Sequence, residues 1–177
     1  SDFGERVKVS RLASLHGAPR ISLASDVRID DFCLLSATEG AFAIGHHVHI
    51  AAYASLIGHA AITVEDFCNL SGRVSLYSSS DDYSGHSLTN PTVPDVFKKV
   101  EHASIHLGRH VIVGAGSVIL PGVVIGEGAA VGALSLVRNA LEPFGIYAGV
   151  PARRIGSRSK ELLDVEQRFL ASDRSLF

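Results

Sequence analysis

The stretch IGEGAAVGALSLV, residues 125–137, holds three glycines and three alanines between aliphatic residues spaced by six. Counting outward from Ile125, the positions Leu107, Val113, Ile119, Ile125, Val131 and Val137 are all aliphatic and all six apart. A glycine follows the aliphatic in LGRHVI, VGAGSV, IGEGAA and VGALSL, and four residues on stands Val111, Ser117, Val123, Ala129 or Ser135. A second run, Ile44, Ile50, Leu56, Ile62, Cys68 and Val74, has the same spacing, and Ile21 with Val27 begins a third. Internal repetition of this kind outranks local propensity as a guide to fold.

A period of six matches neither the 3.6 of a helix nor the alternation of a half-buried strand. It matches a parallel β-helix in which each hexad forms one flat side and three hexads close a coil. Successive coils then stack at about the 4.8 Å spacing of neighbouring strands. The first-position aliphatic points inward, giving a core one residue wide per side, and the glycine and small residue turn the corners.

At 177 residues the chain has the size of one domain, and 46% hydrophobic content with 19% charge describes a packed globular protein. A net charge of −2 with no basic run argues against nucleic acid as a partner. The apolar stretches fall short of the ~20 residues of a membrane span. Neither a signal peptide nor any methionine is present, so the natural start is expected to be missing and the compartment to be the cytoplasm. Cys33 and Cys68 have no paired spacing, and Cys68 falls on an inward repeat position, which makes it a core thiol.

The two long runs are out of phase, because Val74 and Leu107 are 33 residues apart. The chain therefore divides into a first β-helix section (1–77), an ejected loop (78–104), a second section (105–142) and a cap with a C-terminal helix (143–177). The loop, SSSDDYSGHSLTNPTVPDVFKKVEHAS, is rich in turn formers and charge, and a long loop leaving a rigid solenoid is a usual place for function. After the cap LEPFGIYAGVPARRIG, Ser159 can start a helix with Leu162, Leu163, Phe169 and Leu170 on one side. That helix is expected to close the open end of the solenoid.

Proton transfer near neutral pH is a task that suits histidine as a general base. Of nine histidines, His86 lies in the ejected loop beside carboxylates that could fix its tautomer, Asp82 among them, and is the first candidate. His49, in GHHVHIAAY, is the second, on an exposed coil face. Asp81, Tyr83 and Asn90 are candidate substrate-binding groups. His102, His106 and His110 are spaced by four, which does not fit the coil, so no metal site is expected.

The hexads, the loop, GAGSVILPGVVIGEGAAVGALSLV and the terminal YAGVPARRI together resemble the left-handed β-helix acyltransferases, specifically the sugar acetyltransferases of the galactoside, maltose and O-antigen type. The resemblance implies an all-β left-handed solenoid and a homotrimer with acetyl-CoA in grooves between adjacent subunits. It implies direct acetyl transfer to a hydroxyl of a saccharide or nucleotide-linked sugar in surface polysaccharide biosynthesis. The alternative acceptor is the amine of a nucleotide-linked amino sugar. Outside that class stand a metal-dependent carbonic-anhydrase-like solenoid and a non-catalytic scaffold. By the same resemblance Ala115 and Ala133 line the slot for the pantetheine arm, while Arg138, Arg153 and Arg154 are cations for the phosphates of the cofactor. In the galactoside and maltose enzymes the base stands near the start of the loop, where this chain has Asp81.

Overall fold

The computed structural model describes residues 3–173. Short strands fall on three faces visited in turn. The first face holds Ile21–Leu23, Phe42–Ile44, Ile62–Val64, Ile105–Leu107 and Val124–Ile125. The second begins at Lys8–Val9 and runs through His49–Ile50 and Ala130–Val131 to Gly145–Ala148. The third extends from Ser14–His16 to Leu136–Val137. All pairing between coils is parallel, as a solenoid requires.

The repeat is less uniform than the six-residue count suggests. In the second section partners are 18 residues apart, as in Leu107↔Ile125, Val113↔Val131 and Ile119↔Val137. In the first section they are 20 apart, as in Ile44↔Val64, Ile50↔Leu70 and Leu56↔Leu76. The extra residues sit at the corner between the third and first faces. Ile62, six after Leu56, therefore pairs with Phe42 and not with Ile44. The core is also two residues deep on each side. Val111, Ser117, Val123, Ala129 and Ser135, expected at corners, are buried and point inward. They are small because the interior narrows at each corner, where a larger side chain would overpack.

Two glycines show why the corners tolerate so little bulk. A Cβ on Gly114 would lie 2.4 Å from the backbone nitrogen of Ala133 in the next coil. Gly128 has φ +68°, and a Cβ there would meet the Phe144 ring at 2.4 Å.

The end of the solenoid is closed by a hairpin: Gly145–Ala148 pairs antiparallel with Arg153–Ser157. This corrects the role expected of the helix. Helix α1, Glu161–Asp173, starts where Ser159 accepts the Glu161 amide at 3.2 Å, but it packs against the corner between the first and second faces. There His47, Phe67 and His110 stack in a ladder at centroid spacings of 4.9 and 5.0 Å, and Phe169 meets the first two edge-on. Glu166, 8% exposed, pairs with His110 Nε2 at 2.8 Å and with Arg109. Phe169 and Leu170 remain 41% and 42% exposed, so α1 rests on charge and ring contacts as much as on its apolar side. None of the helices among the described residues is long and apolar enough to cross a membrane.

Candidate active site

The long loop leaves the solenoid at the corner between the third and first faces. Its root is fixed by Ser78, fully buried, whose hydroxyl donates to the Ala60 carbonyl at 2.8 Å. Ser79–Ser80 then pairs antiparallel with Glu101–His102, so both ends of the loop meet in one short ribbon. Asp82 holds the next turn: its carboxylate accepts the Ser84 amide at 2.8 Å and the Ser87 hydroxyl at 2.9 Å. The Ser84 and Ser87 hydrogen bonds push its pKa down to about 2, which makes Asp82 a weak base and a firm loop pin.

Two cavities border the root. One, of about 400 Å³, is lined in part by Glu39, His59, Asp81, Asp95, Lys98 and His102. The other, of about 520 Å³, is lined by Ser80, Asp81, Asp82, Tyr83, Lys99, Val100 and Glu101. Asp81 belongs to both. Lys98 pairs with Asp95 at 2.9 Å and keeps that carboxyl below its usual pKa. Cavity one thus has three carboxylates against a single ammonium, an excess that favours a cationic guest. His59 and His102 stack over its wall at 4.8 Å. His102 Nδ1 lies 2.8 Å from Ser79 Oγ, which also accepts the His59 amide at 2.9 Å.

The residues expected from the sequence are distributed unevenly over this site. Asn90 lines the first cavity, while Asp82 and the 93% exposed Tyr83 line the second. His86 lines neither; it is exposed, with Nδ1 2.7 Å from Ser84 Oγ. His49 lies away from the loop on the second face, with Nε2 2.8 Å from Asp30 and Nδ1 3.0 Å from Asn69. His59 and His102 carry no functional signature in the sequence beyond the four-residue spacing of His102 with His106, and the ejection of the loop between them brings them together from positions 43 apart. The other advance signal was that both flank the places where the hexads break.

Ala115 and Ala133 are exposed on consecutive coils at the corner between the second and third faces, where the Leu134 amide donates to Ala115 O at 2.9 Å. Arg138 and Arg153 are exposed, and the Arg153 guanidinium donates to the neighbouring Ala152 carbonyl at 3.3 Å. Arg154 is engaged within its own strand, with Gly156 O and Ser157 Oγ. No group of three or more His, Cys, Asp or Glu suited to a metal ion occurs among the described residues. Cys68 is buried, and burial pushes its thiol up to about 12.

Residues 104–139 match the family described as bacterial transferase hexapeptide (six repeats). The chain is 47% identical over 169 residues to a dTDP-4-amino-4,6-dideoxy-D-glucose acyltransferase of Escherichia coli, covering 96% of this chain and 88% of that one. It superposes with a TM-score of 0.93 and 44% identity on AntD, an N-acyltransferase from Bacillus cereus solved with dTDP and coenzyme A, over 97% of this chain and 91% of that one. A maltose O-acetyltransferase from Clostridium difficile shares the fold at TM-score 0.61 and 17% identity, over 89% of this chain and 71% of that one. The left-handed parallel β-helix is thereby shown, and the related structures hold coenzyme A or 3-hydroxybutyryl-CoA as co-substrate. The chain belongs to the hexapeptide-repeat transferases and is an acyltransferase.

Proposed function

We propose that the protein transfers an acyl group from coenzyme A to the amine of a dTDP-linked 4-amino-4,6-dideoxyhexose. The observation that carries this reading is the 47% identity, over 96% of the chain, to an enzyme named for that acceptor. The carboxylate excess of the first loop cavity supports it, since an amino sugar enters as an ammonium and a sugar hydroxyl does not. The sugar hydroxyl, the leading acceptor from sequence, thus gives way to the amine.

AntD has been solved in complex with a serine replaced and, separately, with an aspartate ten positions further on replaced. In this chain only Ser71 and Asp81 stand at that separation. Asp81 is also the carboxylate common to both loop cavities, and no hydrogen bond ties up its side chain among the described residues. It is the group we assign to accept the ammonium proton, in preference to Asp82, whose oxygens are engaged, and to His86 and His49, which stand outside the cavities. The freed amine nitrogen attacks the thioester carbonyl carbon, the carbon–sulfur bond breaks, and coenzyme A leaves as the thiol.

Ser71 opens the corner between the second and third faces, whereas Asp81 leaves the corner between the third and first. A site using both closes when the loop of one copy meets the corner of another, so the reading includes a homotrimer with shared sites. The same corner carries Ala115 and Ala133, which offer no side chain large enough to obstruct the pantetheine arm. Arg138, Arg153 and Arg154 would hold the phosphates. Surface polysaccharide biosynthesis in the cytoplasm is the setting we assign.

The test is thiol release from acetyl-CoA and 3-hydroxybutyryl-CoA with dTDP-4-amino-4,6-dideoxyglucose or its 4-hydroxyl counterpart. Release with the amine alone is expected. Turnover with the hydroxyl sugar and none with the amine would overturn the proposal.

A further inference from the structure

Acylation of an ammonium and acylation of a hydroxyl differ in their proton balance. An alcohol and a thioester give an ester and a thiol with no net change. An ammonium and a thioester give an amide, a thiol and one proton, which must reach solvent in every turnover. This inference rests on the amine reading above and asks where that proton goes after Asp81.

The titratable groups facing the first cavity are Glu39, His59, Asp81, Asp95, Lys98 and His102. Asp95 is held as a carboxylate by Lys98, and Lys98 is committed to Asp95 at 2.9 Å. Glu39 is at the outer rim, 78% exposed, with Oε1 3.7 Å from His59 Nδ1. Of the groups lining this cavity, the two imidazoles remain beside Asp81 as proton acceptors. Ser79 Oγ accepts the His59 amide and has a second lone pair for His102 Nδ1–H at 2.8 Å. In that arrangement His102 Nε2 is the atom left to take a proton. The His59 ring, stacked at 4.8 Å and 30°, holds the plane of His102 without using either of its nitrogens.

We propose that His102, clamped by Ser79 and His59, is a positioning residue for the acyl transfer that takes the released proton from Asp81 and hands it to solvent. The proton passes from the ammonium nitrogen to the Asp81 carboxylate, then to His102 Nε2, and leaves from the exposed edge of the imidazolium. His102 touches neither the sugar nor the thioester in this scheme.

The experiment compares His102→Gln with His59→Phe in the full chain, using the dTDP amino sugar and acyl-CoA. His102→Gln is expected to lower kcat at least about tenfold with both KM values held, and millimolar imidazole is expected to restore much of the loss. His59→Phe, which keeps the stack but not the imidazole, is expected to lower kcat less than His102→Gln does, and an equal or greater loss there overturns the assignment of the relay to His102. A merely structural His102 would give a loss that imidazole does not repair, together with a lowered melting temperature; that result overturns the proposal, as does an undiminished kcat in His102→Gln. Should His102→Gln fail to fold, Ser79→Ala takes its place, expected to lower kcat with KM held, and full activity there overturns the clamp. A wild-type protein inactive on the amine would instead sink the amine reading itself.

Discussion

At the scale of single residues, the loop separates groups that look alike in the sequence. Asp81 and Asp82 are neighbours, yet Asp82 spends both oxygens on Ser84 and Ser87 while Asp81 opens into two cavities. Nothing in the string DDYSGHS shows which carboxylate turns inward, because the choice is made by a local turn and by strand pairing with residues twenty positions away. Asp81→Asn is expected to lower kcat by roughly 10²- to 10⁴-fold, the range for a lost general base, with acyl-CoA affinity retained. His86→Ala and His49→Ala are the parallel variants, and steady-state kinetics decides: a greater loss in either would move the base to that histidine. Arg153→Ala is expected to weaken coenzyme A binding by about 1.5–3 kcal/mol if its contact is charge-assisted, read as a raised KM for acyl-CoA at unchanged kcat. Asp30 has a pKa lowered overall: burial works against the charge, but hydrogen bonds from His49 and Arg28 outweigh it. A depressed carboxylate stabilises the fold above its unfolded pKa of about 4 and loses that contribution as pH falls through the lower folded value. Asp30→Asn should therefore narrow the difference in melting temperature between pH 6 and pH 3, which thermal denaturation at the two pH values measures.

At the scale of elements, α1 was legible as a helix and misplaced as a cap. Its Ser159 start and its leucines are local signals, but its docking depends on Glu166, which in sequence reads as a solvated helix carboxylate. The corner that receives it is built from second-turn residues with positive φ, among them His47 at 55°, Phe67 at 60° and His110 at 61°, stacked because successive coils repeat one turn. Glu166 is buried but its partner Arg109 is 40% exposed, so solvent screens part of the attraction, and Glu166→Ala should lower stability by about 1–3 kcal/mol, the cost of leaving its hydrogen-bond partners unpaired. Chemical denaturation of the two proteins would check it, and a change under 1 kcal/mol would mean that solvent reaches the pair.

At the scale of the whole molecule, the solenoid was readable because an inward ladder forces a fixed period on the sequence, and the glycines of the second section preserved it. The first section hid its coil length: 20-residue coils keep sixfold spacing along Ile44, Ile50 and Leu56 and then restart it at Ile62, so a slip of two residues passes unseen. The site was less legible because it joins residues from separate corners, and a shared site adds a second chain to that problem. Light scattering is expected to give three times the 18.7 kDa chain mass, and a monomer at micromolar concentration would remove the shared-site arrangement. The central claim concerns the bond that is made. Mass spectrometry of the product from dTDP-4-amino-4,6-dideoxyglucose and acyl-CoA, before and after treatment with hydroxylamine, tests it most directly. One added acyl group that survives as an amide is expected; an acyl group removed by hydroxylamine would be an ester and would overturn N-acylation.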